Sequence, residues 1–168
     1  VENKMTNEIQ VNENQSTEIA ETVVRENDQF AVVKVDGKFK RKAKYSETTT
    51  IVAETRADKV WLLNLFEGTD EKSNGLKEHV GKQISVADVI TRPYDKINEE
   101  TGDMEYGVLT YLITADKNAY VTSSKNVYFT ITNSIKYFGN PTKEEPFVIQ
   151  VLKEKGQNGD MIKIKLVG

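Results

Sequence analysis

Four lysines near the end of the chain, Lys153, Lys155, Lys163 and Lys165, are spaced two and ten residues apart. Lys163 and Lys165 alternate with Ile162, Ile164 and Leu166, so on a strand they stand together on the face away from the apolar row. Six further bases crowd residues 30–45: Lys34, Lys38, Lys40, Arg41, Lys42 and Lys44, against Asp36 alone. Flat side chains lie among other candidate cations: Arg92 with Tyr94, then Tyr111 and Tyr120. Cations that follow a polyanion, together with rings that stack on bases, are the two requirements for holding a single nucleic-acid strand without reading its sequence. Each residue also has a plainer reading. Lys163 and Lys165 are equally the lysines that keep a sheet edge from pairing with another chain. Tyr111 shares its parity with Leu109 and Ile113 and suits a core as well as a stacking role, whereas Tyr120 reads as surface. Trp61 sits in an apolar helical pattern and reads as core. Tyr128 and Tyr137 fall off the stripe of their helix and suit a surface or a partner.

These residues must be positioned by elements that the pattern also supplies. Residues 83–94, 105–115 and 119–123 read as strands, 125–138 as a helix, and 147–155 and 161–167 as two more strands. A helix between the third and fourth of five strands is the order of an OB-fold, a small, partly open barrel that often binds oligonucleotides. Val89 and Ile90 break the alternation begun by Ile84 and Val86, which predicts a bulge near Asp88. Thr101-Gly102-Asp103 is the turn of a polar loop. Ser123 or Ser124 caps the helix, whose stripe is Val127, Ile131, Ile135 and Phe138; Gly139 and Pro141 end it. Upstream, Thr55 and Asp58 begin a helix that carries Leu62, Leu65 and Phe66 and stops near Gly68. A short turn is expected over 74–80. Asp36-Gly37 joins two strands, 30–35 and 38–45, and residues 48–53 suit pairing with either arm.

The 168 residues suit one domain with a tail. The net charge of -3 divides unevenly: residues 1–29 carry seven acids against Lys4 and Arg25, and 30–45 carry the basic block. Residues 1–28 read as a flexible acidic tail, rich in Glu, Asn, Gln, Thr and Ser. Their charge opposes phosphate, while Ile9, Val11, Ile19, Val23 and Val24 suit packing on a neighbouring copy. Met5 reads as the natural start, and residues 1–4 carry no weight. There is no Cys, so disulfides and thiolate metal sites are excluded. His79 stands alone in a polar run and reads as surface. No metal or cofactor is expected, and no P-loop, dinucleotide fingerprint, zinc motif or nucleophile elbow is present. No apolar run nears the ~18 residues of a membrane span, and no signal peptide opens the chain, so a cytoplasmic site is expected.

One run of short features goes further. Val80-Gly81-Lys82-Gln83-Ile84 leads into the first barrel strand, and Asn98-Glu99-Glu100-Thr101-Gly102 forms the loop. Tyr120-Val121-Thr122-Ser123-Ser124 precedes the helix, and Phe138-Gly139-Asn140-Pro141 follows it. Met161-Ile162-Lys163-Ile164-Lys165-Leu166 closes the set. In order and spacing these resemble the single-stranded DNA-binding proteins of phages and conjugative plasmids from Gram-positive bacteria. Tyr45-Ser46 and the helix at 59–65 extend the likeness to about two-thirds of the chain. Relatives often carry Asp-Gly-Lys where this chain has Asp116-Lys117-Asn118. The resemblance implies sequence-independent coating of single strands during replication or transfer, with no catalytic residue. A homo-oligomer through the tail and contacts with replication or transfer proteins are the expected partnerships. The alternatives are an OB module that recruits such proteins while touching DNA little, and an RNA-binding module. On this reading the binding domain spans 29–168, with its barrel over about 80–168.

Overall fold

A computed structural model describes residues 21–168. The chain divides into two compact units, with the boundary between Lys44 and Tyr45. The first is an antiparallel sheet of β1 (Thr22–Glu26), β2 (Phe30–Val35) and β3 (Lys38–Ala43), in the order β1-β2-β3. Asp36 and Gly37 take φ of 50° and 73°, the paired positive angles of the expected tight hairpin. Asn27 turns the chain from β1 to β2, its Oδ1 accepting from the backbone of Gln29 at 2.9 Å and Phe30 at 2.8 Å. Strand β1 lies inside the segment expected to be tail. Its Thr-Val-Val run pairs with the apolar β2, as Val23 opposite Val33 illustrates. The remainder of that expected tail, with Ile9, Val11 and Ile19, lies outside the described residues.

The second unit, Tyr45–Gly168, is mainly β with two helices. In chain order it comprises β4 (Thr48–Thr49), α1 (Arg56–Glu67), β5 (Ser73–Gly75), a 3-10 turn (Leu76–His79), β6 (Gln83–Val86), β7 (Asp88–Ile97), β8 (Met104–Ile113), β9 (Ala119–Thr122), α2 (Lys125–Phe138), β10 (Phe147–Gly156) and β11 (Gly159–Leu166). One sheet runs β4-β7-β8-β9-β5 and another runs β11-β10-β6. Residues 48–49 therefore pair with β7 and with neither arm of the basic hairpin. The expected first barrel strand is real but broken at Ala87, where it passes from one sheet to the other. The Ala87 N–H donates to the Ile113 carbonyl at 2.8 Å and keeps the break anchored to β8. Among the described residues no ladder joins β11 to β9 or β5. The two sheets thus share one chain segment but do not close into a hydrogen-bonded barrel.

Two apolar clusters hold this unit. The first lies between the sheets and α2 and includes Leu76, Val86, Val89, Leu112, Val127, Ile131, Ile149 and Val151. The second lies on the opposite side of β7 and β8, where α1 brings Leu65, Trp61, Leu62 and Phe66 against Ile90, Tyr111 and Ile113. Helix α1 begins with a reciprocal cap: the Asp58 N–H donates to Thr55 Oγ1 at 3.1 Å, and the Thr55 N–H to Asp58 Oδ2 at 3.2 Å. The Thr55 hydroxyl, donating to Asp58 Oδ2 at 2.8 Å, and then the Thr55 N–H hold the Asp58 carboxyl below its ordinary pKa. Gly68, at φ 73°, ends the helix. Helix α2 is capped by Ser124, whose Oγ accepts from the Val127 N–H at 3.3 Å.

Its stripe departs from expectation at two places. Phe138 is 72% exposed at the helix end, meeting the sheet only edge-on at Phe147, 6.4 Å between ring centres. Tyr128 is buried, packing edge-on against Tyr45 at 5.2 Å and accepting from the Ser46 N–H at 2.9 Å. At the Asp116-Lys117-Asn118 turn, Lys117 adopts φ 64°. The strain of that left-handed backbone is offset by neighbours. The Asn118 amide donates to Asp116 at 2.8 Å, and the Lys117 ammonium lies 4.9 Å from the centre of Trp61 and 3.4 Å from Asp58.

Candidate nucleic-acid interface

Strands β7 and β8 form a ladder from Asp88 opposite Ile113 to Ile97 opposite Met104. Its inner half is core and its outer half projects as an arm. At the arm's tip Asn98 organises the turn, its Oδ1 accepting from the Glu100 N–H at 3.0 Å and from Thr101 at 3.3 Å, with Gly102 at φ 74°. The arm exposes Tyr94, Ile97, Met104 and Tyr106. On one face Ile90, Arg92, Tyr94 and Lys96 follow one another in phase, from buried to solvated.

Two devices orient this row. Tyr94 stands opposite Gly107. A Cβ at Gly107 would lie 2.3 Å from Cζ of the Tyr94 ring, so the ring occupies the space that a side chain would fill. It lies across the neighbouring strand and remains 39% exposed. The Arg92 guanidinium rests 4.1 Å from the centre of the Phe66 ring, and Phe66 in turn meets Tyr111 edge-on at 5.6 Å. Tyr111 is only 3% exposed. It has no free face for a base, because α1 covers that side of β8, and its part is to back the ring that carries Arg92. Tyr120, expected at the surface, is partly buried against the first cluster and meets His79 edge-on at 4.8 Å. Burial pushes the Tyr45 phenol above its ordinary pKa, with Tyr128 and Tyr94 adding to the effect.

The four late lysines do not share a face. The β10–β11 register places Lys163 opposite Leu152 and Lys165 opposite Gln150, on the outer side. Lys153 and Lys155 have the opposite parity, in phase with Ile149 and Val151, and extend past the core toward the hairpin tip. Lys153 pairs with Asp160 at 2.9 Å and Lys163 with Glu154 at 2.5 Å. Lys155 and Lys165 form no ion pair among the described residues.

The basic hairpin is likewise divided. Lys38, Lys40 and Lys42 stand opposite Val35, Val33 and Ala31 on one face, and Arg41 turns to the other. Lys42 bridges to Glu21, and Lys44 to Glu26. Three cations escaped the sequence reading: Lys96 on the arm, and Lys77 and Lys125, which flank a groove of about 550 Å³ between β9 and β11. Leu109, Val121 and Met161 line it, and the Ser124 hydroxyl spans its end by donating to the Ile162 carbonyl at 2.6 Å. The position of Lys125 at the first residue of a capped helix was a signal for it; Lys77 had none.

The arrangement has cations at several points and an oriented ring on a sheet surface, with no cluster of three or more metal-ligating acids or histidines among the described residues. The model of the family of phage single-stranded DNA-binding proteins, of the phi29 type, matches residues 41–166. The chain belongs to that family. A single-stranded DNA-binding protein of Bacillus phage GA-1 is 37% identical over 151 residues, covering 87% of this chain and 88% of that protein. No solved structure matches. The likeness drawn from the short motifs is thereby confirmed on its phage side. Members of the phage single-stranded DNA-binding family are not enzymes, and single-stranded DNA is the ligand of this chain. The family match begins at Arg41, so β1, β2 and the first half of β3 lie before it.

Proposed function

We propose that this chain coats single-stranded DNA without regard to base sequence during phage replication in the host cytoplasm. The observation that carries the reading is the row Arg92, Tyr94 and Lys96 on the projecting arm, with Tyr94 laid over Gly107. A ring fixed in that way stacks on any base, since every base has a π-face, and flanking cations meet the phosphates. Lys163 and Lys165 extend the cationic track, together with Lys153 and Lys155 at the tip of their hairpin. Lys38, Lys40, Lys42 and Lys44 add charge from the first unit, and Tyr120 serves chiefly to pack. The strand succession β6/β7, β8, β9, α2, β10, β11 is the order of an OB-fold, and we assign the second unit to that class, left open between β9 and β11. Residues 1–20 act as an arm joining neighbouring copies along the strand, since their acidic charge is unsuited to phosphate.

Titration of oligo-dT, a matched duplex and a matched RNA, followed by fluorescence anisotropy, tests the reading. Tight binding to oligo-dT is expected, with duplex far weaker and with a salt slope near ~0.7 per neutralised phosphate. Equal affinity for duplex, or preference for the RNA, would refute it.

A further inference from the structure

We infer that the β1–β3 sheet carries a second contact for single-stranded DNA on its Phe39–Arg41 face, with Phe39 as the stacking ring. Alternation along β3 sends Phe39 and Arg41 to the side away from Lys38, Lys40 and Lys42. Opposite them on β2 stand Lys34 and Val32. Phe39 is 67% exposed, with the Lys34 ammonium 5.9 Å from its centre. The Arg41 guanidinium lies 3.6 Å from the centre of Phe30. A guanidinium resting flat on a ring keeps its edge N–H groups for phosphate oxygens. Beside it a cleft of about 260 Å³ is lined by Arg25, Asn27 and Val32 among others. The carboxylate at this cleft, Glu26, is held by Lys44 at 2.6 Å and so does not oppose a phosphate freely.

Charge decides the occupant. The bases on this face are Arg25, Lys34 and Arg41, and the acid beside them, Glu26, is already paired with Lys44. A second copy meeting this face across a two-fold axis would set like charges together, whereas a phosphodiester strand supplies both the opposite charge and flat bases. Apart from Arg41 and Lys44 these residues precede the segment matched by the family model. The contact rests on single-stranded DNA being the ligand but not on the Tyr94 row.

The test uses the full chain with oligo-dT, and Phe39→Leu, Arg41→Gln and Tyr94→Leu variants, each checked for an unchanged melting curve. Leucine keeps the apolar bulk at Phe39 and removes only the ring. Phe39→Leu is expected to weaken binding by between about 5-fold and 100-fold, the range for one lost stack, with the salt slope unchanged. Arg41→Gln is expected to reduce the salt slope by about 0.7. Photocrosslinking to a 5-iodouracil oligonucleotide is expected to mark the peptide containing Phe39. Unchanged affinity, slope and crosslinks in the Phe39 and Arg41 variants, with Tyr94→Leu impaired, would overturn this contact and leave the arm as the interface. A change in sedimentation without a change in affinity would also overturn it, making the face one between copies. Failure of the unaltered chain to bind oligo-dT would refute the ligand itself.

Discussion

A tyrosine is a stacking platform only if its ring is held in place, and at Tyr94 the holding group is an absence. Gly107 provides the space under the ring, so Gly107→Ala is expected to lift Tyr94 from the strand while the fold survives. Tyr94→Leu should cost ~1–3 kcal/mol of binding, and Gly107→Ala should cost a similar amount. The double variant should be no worse than either single one, because both remove the same platform. Anisotropy titration of all three checks this, and additive losses would separate the two residues. Lys117 makes a contrasting case. Its positive φ favours glycine by ~1 kcal/mol, but Lys117→Gly would forfeit the Asp58 ion pair and the Trp61 contact, the latter worth up to ~1 kcal/mol at a surface. Its melting temperature should therefore stay near that of the unaltered chain, whereas Lys117→Val, which keeps the strain and loses the contacts, should lower it clearly. The departure from Asp-Gly-Lys was visible in the sequence, but its compensation was not, since Trp61 and Asp58 are far away along the chain. Tyr111 illustrates the same limit. Its strand is apolar on both faces, and only the docking of α1 decides that this face is interior.

At the scale of elements, what was legible was what is local. Helix α2 has the expected limits, Lys125–Phe138, because the Ser124 cap, the spacing of Val127 and Ile131, and Gly139 all act within a few residues. Helix α1 follows for the same reasons. The reach of β7 to Ile97 was not legible, because a ladder that outruns its core has no apolar signature. Strand β1 was hidden by its exposed, acid-flanked sequence, since only pairing with β2 makes it a strand. The joint between β4 and β7 depends on Thr50, whose hydroxyl donates to Asp88 at 2.8 Å and accepts from the Val89 N–H at 2.9 Å. Burial raises the Asp88 pKa, against the smaller opposing effects of Thr50 and Lys143. A carboxyl with a raised pKa in the folded state favours folding below its unfolded pKa of 3.8 and loses that contribution as pH rises through the folded value. At neutral pH its ionised form is therefore a burden. Asp88→Asn, which keeps an acceptor for Thr50, is expected to raise the melting temperature at pH 7 by about 1–3 °C. The gain should vanish below about pH 3.5, near the ordinary Asp range. A gain that persisted in acid would place its origin elsewhere than in charge.

For the molecule as a whole, cations already engaged in ion pairs must exchange partners to meet DNA, and free ones need not. Lys163 is tied to Glu154, while Lys165 forms no such pair among the described residues. Lys165→Ala is therefore expected to weaken binding more than Lys163→Ala, and the double variant should flatten the salt dependence by up to about 1.4 for two phosphates. Titrations at several salt concentrations check both, and an unchanged slope would remove β11 from the interface. The break at Ala87 has a consequence of a different kind. Ile84 and Val86 face the inter-sheet core, yet so do Val89 and Thr91, so the inward positions change from even to odd across Ala87 and Asp88. That step sets the phase of everything downstream. Straightening that break into simple alternation while keeping every residue would rotate the downstream strand by half its repeat. Val89 would then leave the inter-sheet core for the α1 side, and Arg92 and Tyr94 would leave the face on which Phe66 and Gly107 orient them. The break at Ala87 thus decides which face carries the row, and length variation among functional relatives should fall at the arm's tip, near Asn98, where the phase no longer matters.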